Sequence, residues 1–153
     1  MAMHELHADF KDFLKLLNEH KVRYLIVGGY AVAYHGYVRA TGDLDLFFAA
    51  SKANAAGLVK VLNKFGFELP QIRSALFLRP KSLIRLGHEP VKLELMNDIS
   101  GISFRECYRH RVLAMVDGLQ LPFIALDQLL INKRATGRTK DRADAEELEK
   151  LLR

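Results

Sequence analysis

Apolar positions along this chain fall into two rhythms, one helical and one of short continuous runs. Leu6, Phe10, Phe13, Leu14 and Leu17 recur at helical spacing and predict an opening amphipathic helix. Tyr24-Leu25-Ile26-Val27 is an apolar run closed by Gly28-Gly29, the pattern of a buried strand ending at a glycine turn. Residues 30–35 then predict a short helix stopped at Gly36, and residues 43–48 a second strand. Ser51 stands where it would cap a helix carrying Leu58, Val59, Leu62 and Phe65, with Gly66 as its end. Residues 69–80 give no clear pattern. Residues 83–86 and 91–95 predict two strands joined by residues 87–90. Ser103 and Glu106 have capping-box spacing for a helix running to about Arg111. Residues 112–116 and 119–124 flank Asp117-Gly118, a hairpin signal. Asp127 is placed to cap a helix through about Thr136, broken at Gly137. A last helix from about Thr139 presents Ala145, Leu148, Leu151 and Leu152. Helices and strands interleave without a repeat or linker, so residues 1–153 are expected to form one mixed α/β domain.

Composition narrows the class. Half the residues are hydrophobic, enough for a sizeable core. Lys and Arg number 23 against 18 Asp and Glu, and the net charge of +5 favours a phosphorylated partner. No block of like charges marks a nucleic-acid tail. The single cysteine, Cys107, excludes an internal disulfide and a CxxC zinc site. The first residues lack the pattern of a signal peptide, and no apolar stretch has the length of a membrane span. A soluble, cytoplasmic protein is expected.

Asp43 and Asp45 carry the candidate chemistry. Two apart on a strand, their carboxylates share one face while Leu44 and Leu46 point to the other. Such neighbours repel, and a divalent cation relieves the repulsion; Mg²⁺ prefers oxygen ligands and is held by one or two carboxylates plus substrate phosphates. An amphipathic strand with a wet face is the commoner source of an isolated Asp-x-Asp. The apolar flanks Leu44, Leu46, Phe47 and Phe48, and the preceding glycine pair, count against it here. Gly28-Gly29 permits close backbone approach to a phosphate, or simply makes a sharp turn. Neither GxxxxGK[ST] nor GxGxxG occurs.

The run 25–32, then His35-Gly36, then residues 39–46 resembles the nucleotidyltransferase superfamily, whose fold is that of DNA polymerase beta. Residues 93–95, Ile99-Ser100-Gly101, Lys133 and residues 138–144 resemble its branch of small bacterial proteins, some associated with toxin–antitoxin pairs. The resemblance spans roughly residues 22 to 150. It implies an α/β fold with a central mixed sheet flanked by helices. It also implies transfer of a nucleoside monophosphate from an NTP to a hydroxyl, with pyrophosphate leaving. Asp43, Asp45 and Glu94 would be the catalytic and metal-binding acids, holding two Mg²⁺ ions, with Mn²⁺ as an alternative. Glu94 stands where this branch usually has Asp, and Asp98 is the fallback third acid. Gly28 and Gly29 would cradle phosphates, with Arg39, Thr41 and Lys133 as further nucleotide-binding residues. Arg138 and Lys140 are further cations, and Asp141 and Asp144 are expected to pair with local cations such as Arg138 or Arg142. The acceptor is open: tRNA or another RNA, a protein hydroxyl or a small molecule. A partner protein or second copy could complete the site, and no membrane partner is expected. A catalytically degenerate nucleotide-binding protein, or a toxin–antitoxin or RNA-binding module, is the alternative. His4 with His7, His35, Cys107, and Tyr30, Tyr34 and Tyr37 are weaker candidates, better read as terminal or packing residues.

Overall fold

The computed structural model of the chain describes residues 6–152; His4 lies outside them. Seven helices and six strands are interspersed along the described residues. Helix α1 (Ala8–Glu19) begins at His7, whose Nδ1 accepts the Asp9 N–H and so caps the helix. It buries Phe10, Phe13, Leu14 and Leu17. Strand β1 (Tyr24–Val27) is buried throughout and runs directly into α2 (Gly28–Tyr34). The helix therefore starts at the glycine pair and not at Tyr30 as its apolar content suggests. Strand β2 (Asp43–Phe48) leads to α3 (Lys52–Phe65), capped by the Ser51 hydroxyl. The unpatterned stretch contains one short helix, α4 (Ser74–Leu78), whose Phe77 is fully buried.

Strand β3 (Leu83–His88) runs two residues past its apolar run, while β4 (Val91–Met96) starts at Val91 as expected, leaving only Glu89 and Pro90 as the turn. Helix α5 (Phe104–Arg109) ends before Arg111. Only half of its capping box forms: the Ser103 hydroxyl accepts the Glu106 N–H, while the Glu106 carboxylate turns to Arg109 and His110. Strands β5 (Val112–Val116) and β6 (Leu119–Phe123) make the expected hairpin. Its two turn residues, Asp117 and Gly118, both have positive φ, 51° and 80°, as a tight primed turn requires. Helix α6 (Leu126–Ala135) has Ala125 at its cap, so Asp127 lies inside the first turn, where its charge meets the helix dipole instead of an N–H. Helix α7 (Thr139–Lys150) buries Ala145 and Leu148, but Leu151 and Leu152 fall past its end and are exposed.

The strands form one six-stranded mixed sheet in the order β3-β4-β2-β1-β6-β5. β2 runs parallel to β4, and β1 parallel to β6, while β1 and β2 are antiparallel. Side chains on β2 sort the helices. Phe48, on the face opposite the acids, meets Phe77 of α4, and Phe47, on the acids' face, meets Phe104 of α5. Cys107 of α5 is fully buried, and burial pushes its thiol up to about 12. No described helix is long and apolar enough to cross a membrane.

Candidate active site

Strand register assembles the acids. β2 and β4 run parallel with Asp45 beside Glu94 and Asp43 beside Lys92. Across the β3–β4 hairpin, Glu94 is opposite Arg85. One row of the sheet thus reads Asp45, Glu94, Arg85, all on one face. Ligand oxygens of Asp43, Asp45 and Glu94 lie within 4.8 Å of one another. Arg85 Nε donates to Glu94 Oε1 at 2.8 Å, and Lys92 Nζ stands 3.6 Å from Asp43 Oδ1 and 3.3 Å from Glu89 Oε1. Asp98 is outside the cluster of three, although it lines the same cleft.

Asp45 is the most perturbed member. Burial, then the Glu94 carboxylate beside it and Asp43, push its carboxyl up to about 7, against the opposing pull of Lys133. Its Oδ1 is buried with no hydrogen-bond partner. An orphaned buried carboxylate oxygen is costly unless something else binds it. The donor set is all oxygen, which suits a hard divalent cation, and the stranded Oδ1 is an available ligand. The residues present therefore fit a metal such as Mg²⁺.

The glycine turn is shaped around these side chains. Gly28 has φ +66°, and a Cβ there would sit 2.0 Å from Asp45 Oδ2. A Cβ on Gly29 would meet Thr41 Oγ1 at 2.3 Å. Gly28→Ala is expected to cost about 2 kcal/mol or more of stability, from the left-handed backbone and the clash together. Urea denaturation of the two proteins measures it; an unchanged midpoint would mean that the turn relaxes freely.

A cleft of about 620 Å³ opens over the acids, bounded by the glycine turn, the loop before β2, the β3–β4 hairpin and the α6–α7 junction. Gly28, Gly29, Arg39, Thr41, Lys133, Arg138 and Lys140 all line it. Their settings differ from a row of free cations. Lys133 is buried, with Nζ 3.0 Å from Asp141 Oδ1 and 3.2 Å from Asp144 Oδ2. Arg39 grips Asp144 through two parallel bonds of 2.9 and 2.8 Å, and its Nη1 donates to the Ala40 carbonyl. Asp141 also accepts from Thr136 and Arg138. Burial alone would raise the Asp141 and Asp144 carboxyls. The bonds from Thr136 and Lys133 to Asp141, and from Arg39 and Lys133 to Asp144, outweigh it and hold both below the ordinary carboxylate range. Arg142 takes no part in these pairs.

Other sequence candidates lie elsewhere. His35 Nε2 is 2.7 Å from the Ile124 carbonyl. Tyr34 stacks on Phe123, Tyr30 meets Phe10 edge-on, and Tyr37 packs against the core. Arg85 and the role of Asp144 escape sequence reading. The signal for Arg85 was available: a two-residue turn at Glu89-Pro90 pairs 85 with 94, whereas a four-residue connection does not.

No curated protein matches the chain. The structure of the lincosamide antibiotic adenylyltransferase LnuA with lincomycin bound is similar, with a TM-score of 0.62 and 17% identity, covering 95% of this chain and 98% of that one. A candidate nucleotidyltransferase from Thermotoga maritima (TM1012) has a TM-score of 0.59 and 16% identity, covering 97% and 96%. At these identities the likeness shows a shared fold. The family model described as "Nucleotidyl transferase of unknown function (DUF2204)" matches residues 7–153, and the chain belongs to that nucleotidyltransferase family.

Proposed function

We propose that the chain transfers a nucleoside monophosphate from an NTP to the hydroxyl of a small-molecule acceptor, releasing pyrophosphate, with Asp43, Asp45 and Glu94 as its metal-binding and catalytic acids. The observation that carries this reading is the buried, unpartnered Asp45 Oδ1 within a cluster of three carboxylates. Bound Mg²⁺ or Mn²⁺, as one ion or two, would supply charge neutralisation at the triphosphate and acidify the acceptor hydroxyl. Asp43 and Asp45 face the reacting phosphate from β2, and Glu94 receives the hydroxyl proton from β4. Gly28 and Gly29 let the backbone approach phosphate oxygens with no side chain between. Lys133 spends two donors on Asp141 and Asp144 and keeps a third. Arg39 retains N–H groups beyond those held by Asp144 and Ala40, and Thr41 offers its hydroxyl beside Gly29.

A small acceptor is favoured because the cleft is of ligand size and because the lincomycin-bound adenylyltransferase spans almost the same chain length without an added domain. One observation favours the degenerate alternative: Arg85 and Lys92 already stand against Glu94 and Asp43, partly neutralising the cluster. Incubation with Mg²⁺, each α-labelled NTP and a panel of hydroxyl acceptors separates the two. Labelled product with pyrophosphate, lost on adding EDTA, supports transfer. Intact NTP binding without product under Mg²⁺ or Mn²⁺ supports the degenerate reading, and no NTP binding at all sinks both.

A further inference from the structure

Arg39, Asp144, Lys133, Asp141 and Arg138 form a ladder of alternating sign. It runs from the loop before β2, through α7 and α6, to the α6–α7 junction. Three cations alternate with two carboxylates, so the ladder keeps one net positive charge. Four of its members line the cleft; Asp144 alone does not, and its side chain is only 3% exposed. Asp144 is nevertheless the hub. Its Oδ2 accepts from Arg39 Nη2 at 2.8 Å and from Lys133 Nζ at 3.2 Å, and its Oδ1 accepts from Arg39 Nε at 2.9 Å. The partners come from elements far apart in sequence, with Arg39 and Asp144 105 residues apart. Asp144 sets where the Arg39 fork points, and that fork holds the Ala40 carbonyl and lies against Gly29.

We infer that Asp144 is a positioning residue for anion binding: it aims Arg39 and Lys133 at the triphosphate from behind the cleft, touching no ligand itself. This rests on the nucleotide-transfer reading above. Two cations facing one cleft repel each other and would spread apart; a carboxylate bonded to both holds them in one geometry before the ligand arrives. A bidentate guanidinium–carboxylate pair fixes direction as well as distance, which an ammonium in its place would not.

The inference makes a prediction of opposite sign to plain electrostatics. Removing a negative charge beside an anion site should tighten anion binding if charge alone matters. If Asp144 acts by aim, Asp144→Asn weakens it. The test is calorimetric binding of inorganic tripolyphosphate and of ATP to the full chain, with the folded fraction checked by circular dichroism. Asp144→Asn is expected to weaken both about tenfold or more. Arg39→Lys keeps the charge and loses the fork, and is expected to lose as much. The double variant is expected to be no worse than Arg39→Lys alone, since both remove the same alignment. Equal or tighter binding by folded Asp144→Asn overturns the inference, as does full affinity in Arg39→Lys, which stays decisive if Asp144→Asn does not fold. Loss of the folded fraction at unchanged affinity per folded molecule would make Asp144 structural only and also overturns it. If the unaltered chain binds neither probe, the nucleotide-transfer reading itself fails.

Discussion

Replacing Asp45 by asparagine is expected to lower the transfer rate by about a thousandfold, the order found when a centre of electrostatic stabilisation is removed, and at the same time to make the metal-free chain more stable. The two effects share one cause. Asp45 is buried beside Glu94 and Asp43, and its Oδ1 has no donor. That arrangement costs folding energy and is retained where function uses it. An amide has no charge to repel Glu94, and its N–H can donate to that carboxylate. The pH dependence gives an independent check. An ordinary aspartate in the unfolded chain releases its proton near 3.8, while folded Asp45 holds its own up to about 7. Between those values the native state binds more protons than the unfolded one, so this group makes metal-free stability fall as pH rises from about 4 to 7 and level off above. Asp45→Asn should flatten that slope. Urea denaturation across the range, with Mn²⁺ titration at neutral pH, measures both halves. A variant that keeps its Mn²⁺ affinity and its slope would remove Asp45 from the site.

Lys133→Met is the second large effect, expected to destabilise the fold by about 3 kcal/mol at neutral pH. Methionine matches the stem but leaves Asp141 and Asp144 facing each other without the ammonium between them. Arg39 and Arg138 still bond one carboxylate each, which keeps the loss toward the low end for a broken buried pair. The sign of the pH dependence is opposite to that of Asp45. Both carboxyls are held below the ordinary range, so the stability they contribute is fully present above about pH 4 and is lost as pH falls through their folded values. The gap between Lys133→Met and the unaltered chain should therefore narrow in acid. Denaturation midpoints at pH 7 and pH 3.5 test it, and a gap that persists unchanged would mean that Lys133 contributes by packing.

What was legible in the sequence was mostly local. Gly28-Gly29 after a buried run, Asp43 and Asp45 two apart, Ser51 before a helix and Asp117-Gly118 between two strands each state their geometry within a few residues. What was hidden depended on distant partners. Residues 83–96 showed two strands but not their register, because the first apolar run stops at Leu86, two residues short of the strand end at His88; Arg85 was lost with that register. Lys133 read as a nucleotide-binding cation, since nothing beside it in sequence reveals the two aspartates that it meets when buried. Arg39 read as a free phosphate ligand because Asp144 lies 105 residues away. Leu151 and Leu152 kept the helical apolar rhythm of α7 but fall where the helix has ended. Periodicity reports which face is apolar and is silent about where the chain stops winding.

The sealed thiol of Cys107 gives the chain a clock. It is the only sulfhydryl present, it has no exposed surface, and at neutral pH almost none of it is thiolate. Iodoacetamide can reach it only when α5 lifts away from the sheet or the whole molecule opens. Each molecule then gains one adduct, so the labelled fraction in a mass spectrum over time counts how many have opened. At high reagent it counts how fast they do so.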